Sequence, residues 1–120
     1  MILIDTSAWV SHFHKGDADL GFLLSEGLAA CHPFVIGELA CGNLRNRKEI
    51  LSLLQTLPGT PVVSNSEHLH FIELKKIHGI GLGFVDIHLL ASVCLTGCKI
   101  YTHDKTLHRV STQLGINYTL

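Results

Sequence analysis

The chain has 120 residues, 47% of them apolar and only 16% charged, which suits one folded domain with a substantial core and argues against disorder. No stretch approaches the roughly 18–20 apolar residues of a membrane span, and the amino terminus lacks the basic region of a signal peptide, so a soluble, cytoplasmic protein without a membrane partner is expected. A formal net charge of −1 and a pI of about 6.7 exclude a globally basic nucleic-acid binder, so any such contact must be local.

The first stretch, Met1-Ile2-Leu3-Ile4-Asp5-Thr6-Ser7, reads as a buried strand that ends on a carboxylate. Its carboxyl end is where open α/β sheets form their ligand crevices. Asp5, Thr6 and Ser7 are equally good helix N-caps. A weakly amphipathic helix from Thr6 to Lys15 stops at Gly16, and Asp17 to Glu26 resumes helically until Gly27. His12 and His14 lack the i, i+4 spacing of a metal pair and read as surface or interface residues. Leu28 to His32 has strand length.

Pro33 suits the first position of a helix over Phe34 to Cys41. Glu38 lies there among Phe34, Val35 and Cys41, so it is either a surface residue or a carboxylate that needs a partner. Gly42-Asn43 breaks the chain before its densest basic cluster, Arg45, Arg47 and Lys48. A helix from Glu49 to Leu57 follows, then a Pro58-Gly59 turn and a third strand candidate, Thr60 to Val63. Ser64 or Ser66 caps a helix running to His78.

Gly79-Ile80-Gly81-Leu82-Gly83 has glycines in the wrong places for a dinucleotide loop and follows a helix rather than a strand, so that reading is rejected. Val85 to Thr96 is apolar on nearly every side and predicts a buried central helix with Asp86 in its first turn. Lys99 to Thr102 reads as a fourth strand, followed by Thr102-His103-Asp104 and a helix with Leu107, Val110 and Leu114. Ile116 to Tyr118 reads as an edge strand. Cys31, Cys41, Cys94 and Cys98 have no CxxC spacing and are expected to be buried free thiols.

This order favours an α/β fold: a mostly parallel sheet of four to five strands flanked by helices. Asp5 and Asp104 then share the carboxyl edge of the sheet, and Glu38 and Asp86 can reach the same crevice. Facing carboxylates raise one another's pKa values. Divalent cations offset that repulsion, and all-oxygen ligation favours Mg²⁺ or Mn²⁺. Such a pocket suits hydrolysis of a phosphodiester. An aspartyl-phosphate phosphatase does not fit, because Asp5-Thr6-Ser7 lacks the second aspartate two residues on.

Four segments carry a resemblance. They are Leu3 to Ser7, His32 to Gly42 (with Gly37-Glu38-Leu39-Ala40-Cys41), Gly81 to Ser92 (with Phe84-Val85-Asp86-Ile87-His88), and Tyr101 to Leu107. In order and spacing they resemble the PIN-domain ribonucleases, specifically the VapC toxins of toxin–antitoxin pairs, and the likeness spans a single domain over residues 1–120. It implies an Mg²⁺- or Mn²⁺-dependent endoribonuclease whose acidic metal site is Asp5, Glu38, Asp86 and Asp104, with Thr6 and Thr102 in support. It also implies an RNA substrate, a homodimer and a cognate VapB-type antitoxin. Arg45, Arg47, Lys48, Lys105 and His103 are the candidates for RNA contact. The chain departs from the family at His103 and Thr106, where arginine is common, so two fixed positive charges are missing. The same residues also admit a catalytically silent PIN-like module that binds RNA or protein.

Overall fold

The computed structural model describes residues 1–119. Its elements are β1 (Ile2–Ile4), α1 (Thr6–Lys15), α2 (Ala18–Ser25), β2 (Ala29–Ala30), α3 (Pro33–Cys41), α4 (Arg47–Thr56), α5 (Asn65–Lys75), α6 (Phe84–Thr96), β3 (Lys99–Tyr101) and α7 (Lys105–Gln113). The strands pair in parallel in the order β2-β1-β3, so the first strand is central. Its register sets Ile4 beside Tyr101, which makes Asp5 and Thr102 the next neighbours beyond the ladder.

Beyond this ladder the sheet continues as single parallel bridges, Cys31 to Gly59 on one flank and Ile100 to Asn117 on the other. Five chain segments thus run side by side, although only three are regular strands. The Thr60–Val63 strand expected from sequence does not form. Thr60 N–H donates to the Cys31 carbonyl, but Pro61 has no N–H to extend the ladder, and its carbonyl accepts from Ser92 Oγ at 2.6 Å. The expected Ile116–Tyr118 strand likewise amounts to the bridge around Ile100.

Leu3, Ile4 and Ile100 are fully buried between two helical layers that contribute Trp9, Leu20, Val35, Leu90 and Leu107. Helix α6 is the central helix its composition requires, buried without a break from Ile87 to Val93. Its carboxyl end emerges, so Cys94 and Leu95 are exposed. The expectation of four buried thiols is therefore corrected: Cys31 is buried, Cys98 is half-buried, and Cys41 and Cys94 lie on the surface, each near a helix terminus. All four are free. Helix α5 ends at Lys75 rather than His78, because Lys76 turns left-handed at φ 55°. Gly79 and Gly81 also take positive φ, which makes the glycine segment a tight turn before α6.

Beneath the first turn of α6 lies a cluster of rings. His68 stacks on His88 with centroids 4.1 Å apart, and Phe84 and Phe34 close on His88 at 4.7 and 4.8 Å. His32 is fully buried, caps α3 by accepting the Phe34 N–H on Nδ1, and leaves Nε2 without a partner. Burial, with His88 adding to it, pushes the His32 imidazole down to about 4. The unfolded chain therefore takes up this proton first. Stability is full above about pH 6.5 and falls as pH drops toward 4. Denaturant midpoints between pH 7.5 and 4.5 should show this loss. In His32→Asn, which keeps a capping acceptor, the decline should be shallower, and identical slopes would clear His32 of the effect.

Candidate active site

Asp5 is only 4% exposed and stands at the carboxyl end of the central strand as the N-cap of α1. Its Oδ1 accepts from Ala8 N–H at 3.0 Å and Ser7 Oγ at 2.8 Å. Its Oδ2 accepts from Thr102 Oγ1 at 2.6 Å and Ser7 Oγ at 3.0 Å. A buried carboxylate needs such donors to remain in place. Burial raises its pKa, the bonds from Thr102, Ala8 and Ser7 pull it down, and the charge of Asp86 adds to the rise; the net direction is upward.

Thr102 ties two acids together. While donating to Asp5, it accepts the Asp104 N–H on the same hydroxyl at 2.9 Å. Asp104 is exposed and caps α7, with Oδ1 accepting the Leu107 N–H at 2.8 Å. Asp86, half-buried, reaches back from the first turn of α6 to accept the Gly83 N–H on Oδ2 at 2.9 Å. Glu38 sits on an exposed face of α3, not within the apolar stripe its neighbours suggested. Its partner is the Thr6 hydroxyl, which donates to Oε1.

The Asp86 carboxyl is raised by burial first, with the Gly83 bond opposing, and further by the charges of Asp104 and Glu38. Together with the influence of Asp86 on Asp5, this links all four acids in one electrostatic neighbourhood. Glu38 Oε2, Asp86 Oδ1 and Asp104 Oδ2 accept no bond from the described residues, whereas both oxygens of Asp5 are engaged. The donor set is oxygen throughout, the type that suits a hard divalent cation. Among the described residues no three of these side chains converge closely enough to hold one ion as they stand.

A cleft of about 640 Å³ adjoins Thr6 and Glu38, with Arg45 and His14 on its wall and Phe13 and Ile50 in its apolar part. Of the basic candidates, Arg45 is thus beside an acid and Lys105 follows Asp104 directly. Arg47 instead binds the Ala40 carbonyl at the end of α3, through Nη2 at 2.9 Å and Nε at 3.3 Å. Lys48 is exposed and does not line the cleft. From sequence Ser7 is only a cap. Its hydroxyl in fact holds Asp5 and accepts the His103 N–H at 3.0 Å, a role signalled only by its place two residues after the strand-end acid. Asp17 and Tyr101, which meet at His103, carried no such signal in the sequence.

A parallel sheet with its first strand central and acids gathered at the carboxyl edge defines a class of α/β proteins that act at that edge. The PIN domain family model matches residues 2–113. Ribonuclease VapC32 of Mycobacterium tuberculosis, in strains CDC 1551 / Oshkosh and ATCC 25618 / H37Rv, is 43% identical over 117 residues, covering 97% of this chain and 94% of the relative. Among solved structures, Mycobacterium tuberculosis VapC20, a sarcin-ricin loop cleaving toxin, superposes with a TM-score of 0.65 at 19% identity over 97% of this chain and 96% of that one. PAE2754 from Pyrobaculum aerophilum does so with a TM-score of 0.58 at 17% identity, over 91% and 78%. The chain belongs to the PIN-domain family, in its VapC ribonuclease branch.

The raised Asp86 pKa carries a cost. Ionisation opposes folding at neutral pH, and the penalty is absent below the unfolded value near 3.8. Asp86→Asn keeps an acceptor for Gly83 N–H while removing the charge. It should raise the melting temperature of metal-free protein at pH 7, with the advantage vanishing near pH 3.5. A variant less stable than wild type at pH 7 would contradict this.

Proposed function

We propose that this chain is an endoribonuclease toxin that hydrolyses RNA phosphodiester bonds at Asp5, Glu38, Asp86 and Asp104 with Mg²⁺ or Mn²⁺. The observation that carries the reading is the electrostatic coupling of Asp86 to Asp5, Asp104 and Glu38 at one sheet edge, in a chain 43% identical to a ribonuclease. Carboxylates that raise one another's pKa call for a counter-charge. A divalent cation held by these acids would supply that charge, and with it the chemistry of polarising water and steadying a leaving oxygen. Glu38 and Asp104 are exposed and each keeps an oxygen free of hydrogen bonds from the described residues, so both would be available, with Asp5 and Asp86, to hold such an ion. Asp5 is held rigidly, with Thr102 and Ser7 as its positioning residues and Thr6 doing the same for Glu38.

Arg45, Lys48, Lys105 and His103 are proposed to meet RNA, whereas the bond of Arg47 to Ala40 gives that side chain a structural task as well. VapC toxins generally pair with VapB antitoxins, and we assign this chain such a partner and a homodimeric state. Exposed Leu74 and Leu95, beside an apolar groove of about 550 Å³ between α5 and α6, support a protein-covered face. The silent-module alternative loses ground because all four acids are retained in one neighbourhood.

Purified Asp5→Asn and Asp86→Asn proteins should cut RNA at least about 100-fold more slowly than wild type, the scale of losing an electrostatic element of a site. EDTA should stop wild-type cleavage, and Mn²⁺ should restore it. Wild-type rates in either variant would exclude the acid site. Neutralising Arg45, Lys48 and Lys105 together should lower the salt-dependence slope of single-stranded RNA binding by about 2, since each phosphate left without its cation takes away roughly 0.7. An unchanged slope in filter binding would remove those residues from the interface.

A further inference from the structure

Asp17 bonds to none of the four acids, yet its carboxylate is engaged well beyond what a helix cap requires. As the N-cap of α2, its Oδ1 accepts from Asp19 N–H at 3.0 Å and Leu20 N–H at 3.1 Å. That is all a helix end asks of it. Its Oδ2 serves a different element. It accepts the Tyr101 hydroxyl at 2.8 Å, with a longer contact of 3.1 Å from that hydroxyl to Oδ1, and His103 Nε2 lies 2.6 Å away. These partners are 84 and 86 residues distant in sequence, and the Asp17 side chain between them is only 7% exposed.

The two residues that reach Asp17 stand on either side of Thr102. Successive side chains of an extended chain point to opposite sides. Here the middle one is buried against Asp5, to which it donates at 2.6 Å, while its neighbours meet Asp17. The backbone of the same three residues also closes on the end of the first strand. The Tyr101 carbonyl accepts the Asp5 N–H at 3.1 Å, and the His103 N–H donates at 3.0 Å to Ser7 Oγ, which holds Asp5. Strand β3 ends at Tyr101, so Thr102 lies just past the last residue that the ladder fixes. Its placement therefore depends on what grips the residues around it. The Tyr101 bond holds whatever the charge on the His103 ring, because a phenol donates to a carboxylate in either case.

We propose that Asp17 is a positioning residue of the acid site: by gripping Tyr101 and His103 it fixes the backbone on both sides of Thr102, so that this hydroxyl stays on Asp5 while accepting the Asp104 N–H. Tyr101 is its main lever. The consequence for cleavage rests on the ribonuclease reading above, whereas the placement of Thr102 does not.

Two variants separate the brace from the cap. Asp17→Ser keeps a capping oxygen but loses the second carboxylate oxygen, and Tyr101→Phe removes only the hydroxyl. In metal-free protein each should speed exchange of the Asp104 amide hydrogen about three- to tenfold, the scale of one weakened hydrogen bond. Magnetisation transfer from water reads that rate. Mn²⁺ affinity by calorimetry and kcat for RNA cleavage should both fall by about the same factor, with KM little changed. Thr102→Val should show the same losses of affinity and kcat, and adding Asp17→Ser to it should cost nothing further, because both act through one hydroxyl. A lower melting temperature alone, with Asp104 exchange and Mn²⁺ affinity as in wild type, would overturn the proposal and leave Asp17 a cap of α2. Additive losses from Asp17→Ser and Thr102→Val would overturn it as well. Folding is checked by circular dichroism, and if Asp17→Ser does not fold, Tyr101→Phe decides alone. Wild-type protein that neither binds Mn²⁺ nor cuts RNA would sink the ribonuclease reading, and the metal-free exchange rates would still decide whether Asp17 places Thr102.

Discussion

The hydrogen bond from Thr102 to Asp5 is the constraint on which the rest of the site depends. It spans two parallel strands whose register places their last residues side by side, and it holds a carboxylate that is only 4% exposed. A buried charge without donors is among the costliest defects a fold can carry. The register of β1 against β3 is thus specified twice, once by the apolar faces of Leu3 and Ile100 and once by the need to deliver Thr102 to Asp5. The same hydroxyl accepts the Asp104 backbone, so the start of α7 is fixed by that pairing too.

Three of the four acids serve as helix caps. Asp5, Asp86 and Asp104 each give an oxygen to a backbone N–H at the start of a helix. This satisfies orphan donors and places negative charge at the positive end of the helix dipole. For Asp86 and Asp104 it also leaves the second oxygen free at a defined position. These bonds oppose the upward pull of burial, which is the main cause of the raised pKa at Asp5 and Asp86, with the neighbouring acids adding to it. The fold carries that destabilisation at the carboxyl edge of the sheet.

Much of this was legible in sequence. The strand ending at Asp5 and the buried α6 follow from apolar pattern. The parallel order followed from helices alternating with strands. What escaped was decided by single tertiary contacts. Thr60 to Val63 has strand composition, but Pro61 and the pull of Ser92 on its carbonyl limit it to one bridge. Glu38 has apolar neighbours in sequence, yet the helix turns it outward to Thr6. The thiols of Cys41 and Cys94 fall near helix ends, where an apolar residue need not be covered. Asp17 reads locally as nothing more than a cap, and its partners at Tyr101 and His103 cannot be inferred without the β1–β3 pairing.

The histidines resolve into two physical kinds. His32, His68 and His88 are interior plates. They stack among Phe34 and Phe84, and burial drives His32 and His88 toward the neutral form. Together with Phe34 and Phe84 these rings pack against one another at the start of α6. His103 is the opposite case, an exposed ring locked from behind by a carboxylate. Its Nε2 is committed to Asp17 and Tyr101, an internal contact that the first-strand site does not share. Among the described residues, Arg45 is the one lysine or arginine lining the cleft beside Glu38. The acid site thus carries little fixed positive charge of its own, in keeping with a chain whose formal net charge is −1.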